Sequence, residues 1–338
     1  MSCRFLLSTS GRALALMWLV QFPLVCQVPS SLKLGAPTSD WTVLRTPDGQ
    51  PDLHGFWTNA TITPFERSPE LAAKQFLTAE EAAAVEKQVL QSRVDRAPPP
   101  GDTGGYNEFW FDRGTKVVQT RRTSLVANPT DGRIPPLTPE AQARMEKARA
   151  TARQHSADGP ESRSLPERCI LWPTAGPPML PSGYNNMYQI VQTPGYVMIL
   201  TEMIHDARVI PLDGRPHLSP DIRQWMGDSR GHWEGNTLVV DTTNFSNKTS
   251  FRGASEQLHL VERFTRTDPE TVLYQFTVDD PEAFTKRWSA EIPMTKTVGP
   301  LFEYACNEGN YSLTDILGGA RAEEQKAAEE QEARKVSH

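Results

Sequence analysis

The chain has 338 residues, a formal net charge of -6, and 41 Asp and Glu against 35 Lys and Arg. That balance excludes the strongly basic surface on which sequence-independent nucleic-acid binding depends. The length admits one large domain or two small ones, because single cores stop growing above about 250 residues.

Residues 1–27 have the form of an export signal: Arg4 and Arg12 flank the start of "ALALMWLVQFPLV", an apolar run too short and too interrupted to span a bilayer comfortably. No membrane span is expected beyond it, and the expected compartment is periplasmic or secreted. Of the four cysteines, Cys3 and Cys26 fall in or beside this signal, leaving Cys169 and Cys306 in the body. In an oxidising compartment such a pair predicts one disulfide.

The next stretch is rich in Pro, Asp, Thr and Gly, and "PDLHGFWTNATITP" predicts a first strand entered from a turn. A helix is predicted near 78–95, with Thr78 as N-cap and Glu81 three residues on completing a capping box before a proline run stops it. A second is predicted near 138–154, with Thr138 as cap and Pro139 at its first position. Between them, "YNEFWFDRGTKVVQTRRTSLVANPTDGR" has strand composition. Residues 154–186 form a long Pro-rich connection, of the kind that is usually functional or disordered.

From Met187 onward the chain is a series of strand candidates with turn signals at Pro194-Gly195, Asp213-Gly214, Glu234-Gly235-Asn236 and Asp268-Pro269. Ile199 to Val209 reads as strand, as do "RWSAEIPM" and "LFEYACNEG". Alternation is clear in "VLYQFTVDD", where Val272, Tyr274, Phe276 and Val278 share one face and Gln275, Thr277 and Asp279 the other. The expected fold is mainly β with some α: an antiparallel β-barrel or strongly curved sheet with a few peripheral helices from the N-terminal half. It forms a single β-rich domain over 34–318, followed by a charged, helix-prone tail over 319–338.

The stretch "EMIHDARVIPLDGRPH", Glu202 to His217, concentrates titratable side chains among strand formers. Glu202 and His205 have an E-x-x-H spacing, and His217, His232 and His259 lie downstream, but two ligands three apart on a strand point to opposite faces. No C-x-x-C, H-x-H or H-E-x-x-H pattern occurs, nor a G-x-G-x-x-G or phosphate-cradling loop, so neither a metal nor a cofactor is expected. Acid–base work suits the same residues better: His205 as base, Asp206 orienting it, and Arg208 or Arg121 stabilising negative charge. Arg121 belongs to the doublet Arg121-Arg122, which as strand neighbours face opposite ways, so at most one enters a pocket. Asp112 and Arg113 form another charged pair, and Glu303 completes the expected catalytic set. Trp110, Tyr184, Asn185, Asn310 and Tyr311 are expected to contact substrate by stacking and amide hydrogen bonds. The bland account of all of these is hairpin-end polarity and cross-strand pairing.

The phrases "PDLHGFW", "IHDARVIPLDGRPH", "GDSRGHWEGNTLVVDTTNF", "HLVERFTR" and "EYACNEGNY" together resemble a large family of exported bacterial proteins of unknown function, over nearly all of the chain beyond the signal. The resemblance implies no activity and transfers no catalytic residue. Gly55-Phe56-Trp57 matches the Gly-x-Trp pattern of lipocalin-type barrels, a looser likeness from which the intervening helices depart.

The expected function is cofactor-independent acid–base chemistry on a polar sugar-like or phenolic small molecule, by a lyase, isomerase or hydrolase. The alternatives are a non-catalytic ligand-binding or carrier protein, and an envelope protein contacting polysaccharide.

Overall fold

The computed structural model describes residues 41–336 except 96, 98, 103, 104, 106 and 250. The export signal expected over 1–27 lies outside the described residues. No helix among those described is long and apolar enough to cross a membrane.

The fold is mainly β: among the described residues, a 10-stranded antiparallel sheet with three α-helices. The strands are β1 (Gly55–Thr58), β2 (Val126–Asn128), β3 (Met187–Thr193), β4 (Tyr196–Thr201), β5 (Ala207–Pro211), β6 (Asp228–Glu234), β7 (Thr237–Thr243), β8 (His259–Asp268), β9 (Thr271–Asp279) and β10 (Trp288–Thr297). Hydrogen bonding runs β5-β4-β3-β1-β10-β9-β8-β7-β6, with β2 pairing β10 as a side branch. The turns at Pro194-Gly195, Glu234-Gly235-Asn236 and Asp268-Pro269 each join hydrogen-bonded neighbours.

The sheet curves but hydrogen bonding does not close it into a barrel. The path holds nine strands alternating in direction, so its edge strands β5 and β6 run the same way and cannot form an antiparallel ladder. Asp213-Gly214 therefore does not make the expected hairpin; it begins a long connection returning to the other end of the sheet. The edges meet through side chains instead. A Cβ added to Gly231 on β6 would lie 2.6 Å from Leu212 and 2.9 Å from Ile210, so glycine permits the approach.

The apolar face read in β9 points inward: Val272, Tyr274, Phe276 and Val278 are buried, with Trp288, Ile292, Phe264, Leu260, Ile199 and Ile210 packed in the same core. Each such side chain contributes on the order of 1.5–3 kcal/mol. The interior is thus packed, and aromatic contacts such as Phe264–Tyr274 at 4.9 Å fill it. Near the β8–β9 turn the sheet is stoppered by Trp57, whose indole donates to the Leu53 carbonyl at 2.9 Å and lies under Arg266.

Within this core lies a buried ion pair. Arg208 of β5 donates to both oxygens of Glu262 of β8, at 2.5 and 3.1 Å, and Tyr274 of β9 donates to the same carboxylate at 2.8 Å. Burial opposes the charge on Arg208, but Glu262 more than offsets it and raises the guanidinium pKa. Burial pushes the Tyr274 phenol well up, so it stays a donor.

Other expectations were displaced by tertiary context. Residues 107–133 carry one strand, β2, and a 3-10 turn over Glu108–Trp110; the rest is turn and irregular chain whose polar groups bond to other segments, as when the Val118 amide donates to Thr63. Ile199 to Val209 is broken after Thr201 by a 3-10 turn over Met203–His205, in which Ile204 and His205 take positive φ of 64 and 45 degrees. "LFEYACNEG" is a loop, because the Cys169–Cys306 disulfide, with Cα atoms 5.7 Å apart, holds it against the Pro-rich connection and away from the sheet. The helices are α1 (Ala79–Ser92), whose capping box Thr78–Glu81 is formed, α2 (Pro139–Gln154), capped by Thr138, and α3 (Tyr311–Val336), which begins before the expected tail.

Glu262→Gln is expected to cost about 3–5 kcal/mol in urea unfolding, because it leaves a buried guanidinium uncompensated. The double replacement Arg208→Met with Glu262→Leu should cost less than either single change; a double mutant as unstable as the sum would contradict this account. Removing the disulfide with Cys169→Ser should lower stability by about 4 kcal/mol, since the bond closes a long loop.

Candidate functional site

A cleft of about 490 Å³ opens at the end of the sheet opposite the Trp57 stopper. Its position follows from how short β1 is. After Thr58 the chain leaves β10, whose same edge is taken up further along by β2, where Ala290 pairs Val126. Residues 61–65, just past β1, and Leu125, just before β2, form one wall; the Pro-rich connection supplies Thr174 and 180–183 opposite. Such a volume suits a small organic molecule.

The lining is amphipathic. Ile62, Pro64, Phe65, Leu125 and Leu180 are apolar, whereas Arg93, Arg113 and Arg252 bring guanidinium groups, and no carboxylate lines the cleft among the described residues. Arg93, the C-cap of α1, donates to the Gly114 carbonyl at 2.6 Å. Arg113 pairs with Glu108 at 2.8 Å and stacks 3.9 Å over Phe111, but its Nε is buried without a partner. Arg252 lies 4.4 Å over the Phe65 ring, and desolvation lowers its pKa despite Glu66 nearby. Thr174 links the cleft to the core: its carbonyl accepts from Tyr188 at 3.5 Å, and Tyr188 stands beside Arg208.

Next to Arg113 stands Asp112, whose charge acts on Glu202. The Asp112 amide donates to the Gly183 carbonyl at 2.9 Å, and the Asn186 side chain ties the Asp112 and Ser182 carbonyls together at 2.6 and 3.1 Å. Desolvation raises the Asp112 pKa, opposed by hydrogen bonds from Asn186 to its carboxylate, among them the Asn186 amide at 3.3 Å. Glu202, buried at the end of β4, is raised by desolvation and further by the Asp112 charge, while Phe302, Met187 and Asn185 hydrogen bonds oppose. Asp206 is raised by desolvation, with His205 opposing.

The residues expected to act together are dispersed. His205 is exposed, its Nδ1 3.0 Å from the Tyr304 carbonyl, and Glu303 is the exposed neighbour of that tyrosine. Asp206 follows His205 and, like it, lines no part of the cleft, and Arg208 points inward to Glu262. Arg121 is exposed, near the start of α1, while its neighbour Arg122 is buried; the doublet lies outside any strand, with Arg121 at a φ of 56 degrees, so a turn and not strand alternation separates the two side chains. Tyr184 packs against Trp172 and Phe111 beside the cleft, at 6.2 and 6.4 Å between rings, and Asn185 bonds Glu202. Asn310 holds the disulfide segment by donating to the Glu167 carbonyl at 2.8 Å. Tyr311 and Trp110 are exposed at 76% and 62% and line no part of the cleft.

Arg93 and Arg252 have no motif. Arg93 sits where a basic side chain at a helix end is explained by the dipole alone, and Arg252 follows no recognisable pattern. The signal available was Arg113, in a segment of strand composition that forms no strand at that point.

A second cluster lies on the outer face of the sheet. His217, in the long β5–β6 connection, places Nδ1 3.0 Å from Asp228 and Nε2 2.9 Å from Asp241; Asp241 also meets His259 at 2.6 Å. Arg230 binds Asp228 and the Pro216 carbonyl at 2.6 and 3.1 Å. The chain of alternating carboxylates and imidazoles pins the connection across the edge of the sheet. No group of three His, Cys, Asp or Glu side chains among the described residues has the geometry to hold a metal ion.

No family model, curated protein or solved structure matches this chain.

The outer cluster gives stability a pH dependence. The Asp241 hydrogen bond raises the His259 pKa above its ordinary 6.5, against desolvation and Arg287, with Asp279 adding to the rise. For Asp241, desolvation acts upward but the two histidines prevail and lower it below 3.8. The His259 contribution is complete below pH 6.5 and lost as pH rises through the raised value. The Asp241 contribution is present above 3.8 and lost as pH falls through the lowered one. The melting temperature should therefore decline on the alkaline side of 6.5, and Asp241→Asn should flatten that limb in calorimetric scans. An unchanged slope in the variant would refute the assignment.

Proposed function

We propose that this protein binds a small organic molecule in the cleft between residues 61–65, α1 and the Pro-rich connection. The observation that carries the reading is the cleft itself: about 490 Å³ with one apolar side and a few convergent polar groups. The supporting segments are rigidly held, by the Asn186 bonds to Asp112 and Ser182 on one side and by the capped helix α1 on the other. An exported, oxidising location fits the Cys169–Cys306 disulfide.

A second reading is acid–base catalysis on that ligand. It is favoured by one observation, that Asp112, Glu202 and Asp206 at this end of the sheet all have carboxyl pKa values raised by burial, a common property of proton-transfer groups. In that reading Glu202 and Asp112, rather than His205 with Arg208, are the groups to test first.

The cleft reading is tested with N-phenyl-1-naphthylamine and its 8-sulfonate, whose fluorescence rises on transfer out of water. At least one should bind wild-type protein saturably, and Val89→Trp, which fills the cleft from the surface of α1, should weaken it by about 10-fold or more with the melting temperature unchanged. Undiminished binding in the variant would place the ligand elsewhere.

A further inference from the structure

The chemical class of the ligand is legible in what lines the cleft. We infer that it is an organic anion, a carboxylate or sulfonate carried on an aromatic or branched apolar body; the inference rests on the reading of the cleft as a small-molecule site. Three guanidinium groups reach it from three separate parts of the chain: the end of α1, the segment after Phe111, and the connection after β7. The chain is net negative, yet the lining carries one sign only: Glu108 answers Arg113 and Glu66 lies near Arg252, but no carboxylate among the described residues lines the cleft itself, so its field favours an entering negative charge.

The guanidinium groups are incompletely used by the protein. Arg93 is bonded to a neutral carbonyl, so its charge is not compensated there. Arg113 keeps a buried Nε–H without an acceptor, although Glu108 takes another of its donors. Arg252 forms no ion pair among the described residues and is held over Phe65 from a backbone of φ 52 degrees, a left-handed conformation that a long side chain rarely adopts. Guanidinium donors of this kind match the two oxygens of a carboxylate or sulfonate.

The apolar wall fixes the rest of the molecule. Phe65 is braced by Phe276 and Trp288, with ring centroids at 6.5 and 6.0 Å, and Ile62, Leu125 and Leu180 continue its surface. A free phosphate or acetate would leave that wall in water, whereas an amphipathic anion covers it and places its charge at the arginines. Arg252 then acts on the ligand from above the same ring that its body covers.

The two naphthylamine probes differ only in the sulfonate, so they separate charge from shape. The wild-type protein is expected to bind the sulfonate about 10-fold or more tighter than the neutral amine at low salt. Arg252→Gln, which breaks no ion pair among the described residues, should erase most of that preference, weakening the sulfonate by a larger factor than the neutral probe, whose contact with the Phe65 wall also changes. Inorganic phosphate at matched ionic strength should fail to displace either probe. Equal affinities, a preference surviving Arg252→Gln, or displacement by phosphate at similar concentration would overturn the anion class and leave the cleft reading standing. Binding of neither probe would overturn both.

Discussion

The ion pair between Arg208 and Glu262 is the constraint around which the sheet is organised. It joins β5, at one edge of the hydrogen-bonded path, to β8 near the other, across a core otherwise made of aromatic and branched side chains. Two charges in such a place are tolerated only when both are fully answered. Glu262 receives two guanidinium bonds and a phenol, and Tyr274 in turn accepts from the Met179 amide at 3.0 Å. The pair thus bridges the interior where the edge strands cannot hydrogen-bond to each other, and anchors the Pro-rich connection to the same network through Met179.

That arrangement explains why the two ends of the sheet differ. At the Trp57 end, indole and guanidinium stack and the backbone carbonyls of Asp52 and Pro269 each accept from a terminal nitrogen of Arg266 at 2.9 Å, leaving little room. At the other end β1 is short, the connection carrying Thr174 to Asn186 fills in where strand would otherwise be, and its tie to Asp112 leaves a cleft rather than a seal. The disulfide and the Asn310 bond fix the outer side of the same connection. The end that carries the cleft is therefore built of irregular chain on a rigid frame, which is where binding residues are usually found.

The outer histidine cluster belongs to a different part of the design. It fastens the β5–β6 connection, which must travel the length of the sheet because the edges run parallel. Asn244 adds side-chain bonds to the Leu218, Ser219 and Ile222 carbonyls, at 3.1, 2.9 and 3.1 Å, so the whole connection is held by side chains in place of a ladder. Its charged groups are tied to stability, while those of the cleft are left with donors to spare.

The sequence by itself determined the local features: alternation in Val272 to Val278, the turn chemistry at Pro194-Gly195, Glu234-Gly235-Asn236 and Asp268-Pro269, and the caps at Thr78 and Thr138. It also singled out Cys169 and Cys306 as a pair. These are properties of neighbours along the chain, fixed by backbone geometry and period. What only the tertiary structure decided depends on distant residues: that β5 and β6 run parallel and need a strap, that Ile204 and His205 leave the strand, and that Arg208 faces a core carboxylate 54 residues away. The cleft was illegible for the same reason. Arg93, Arg113 and Arg252 share no spacing, and their convergence is produced by the fold, which sets three unrelated segments around one gap in the sheet.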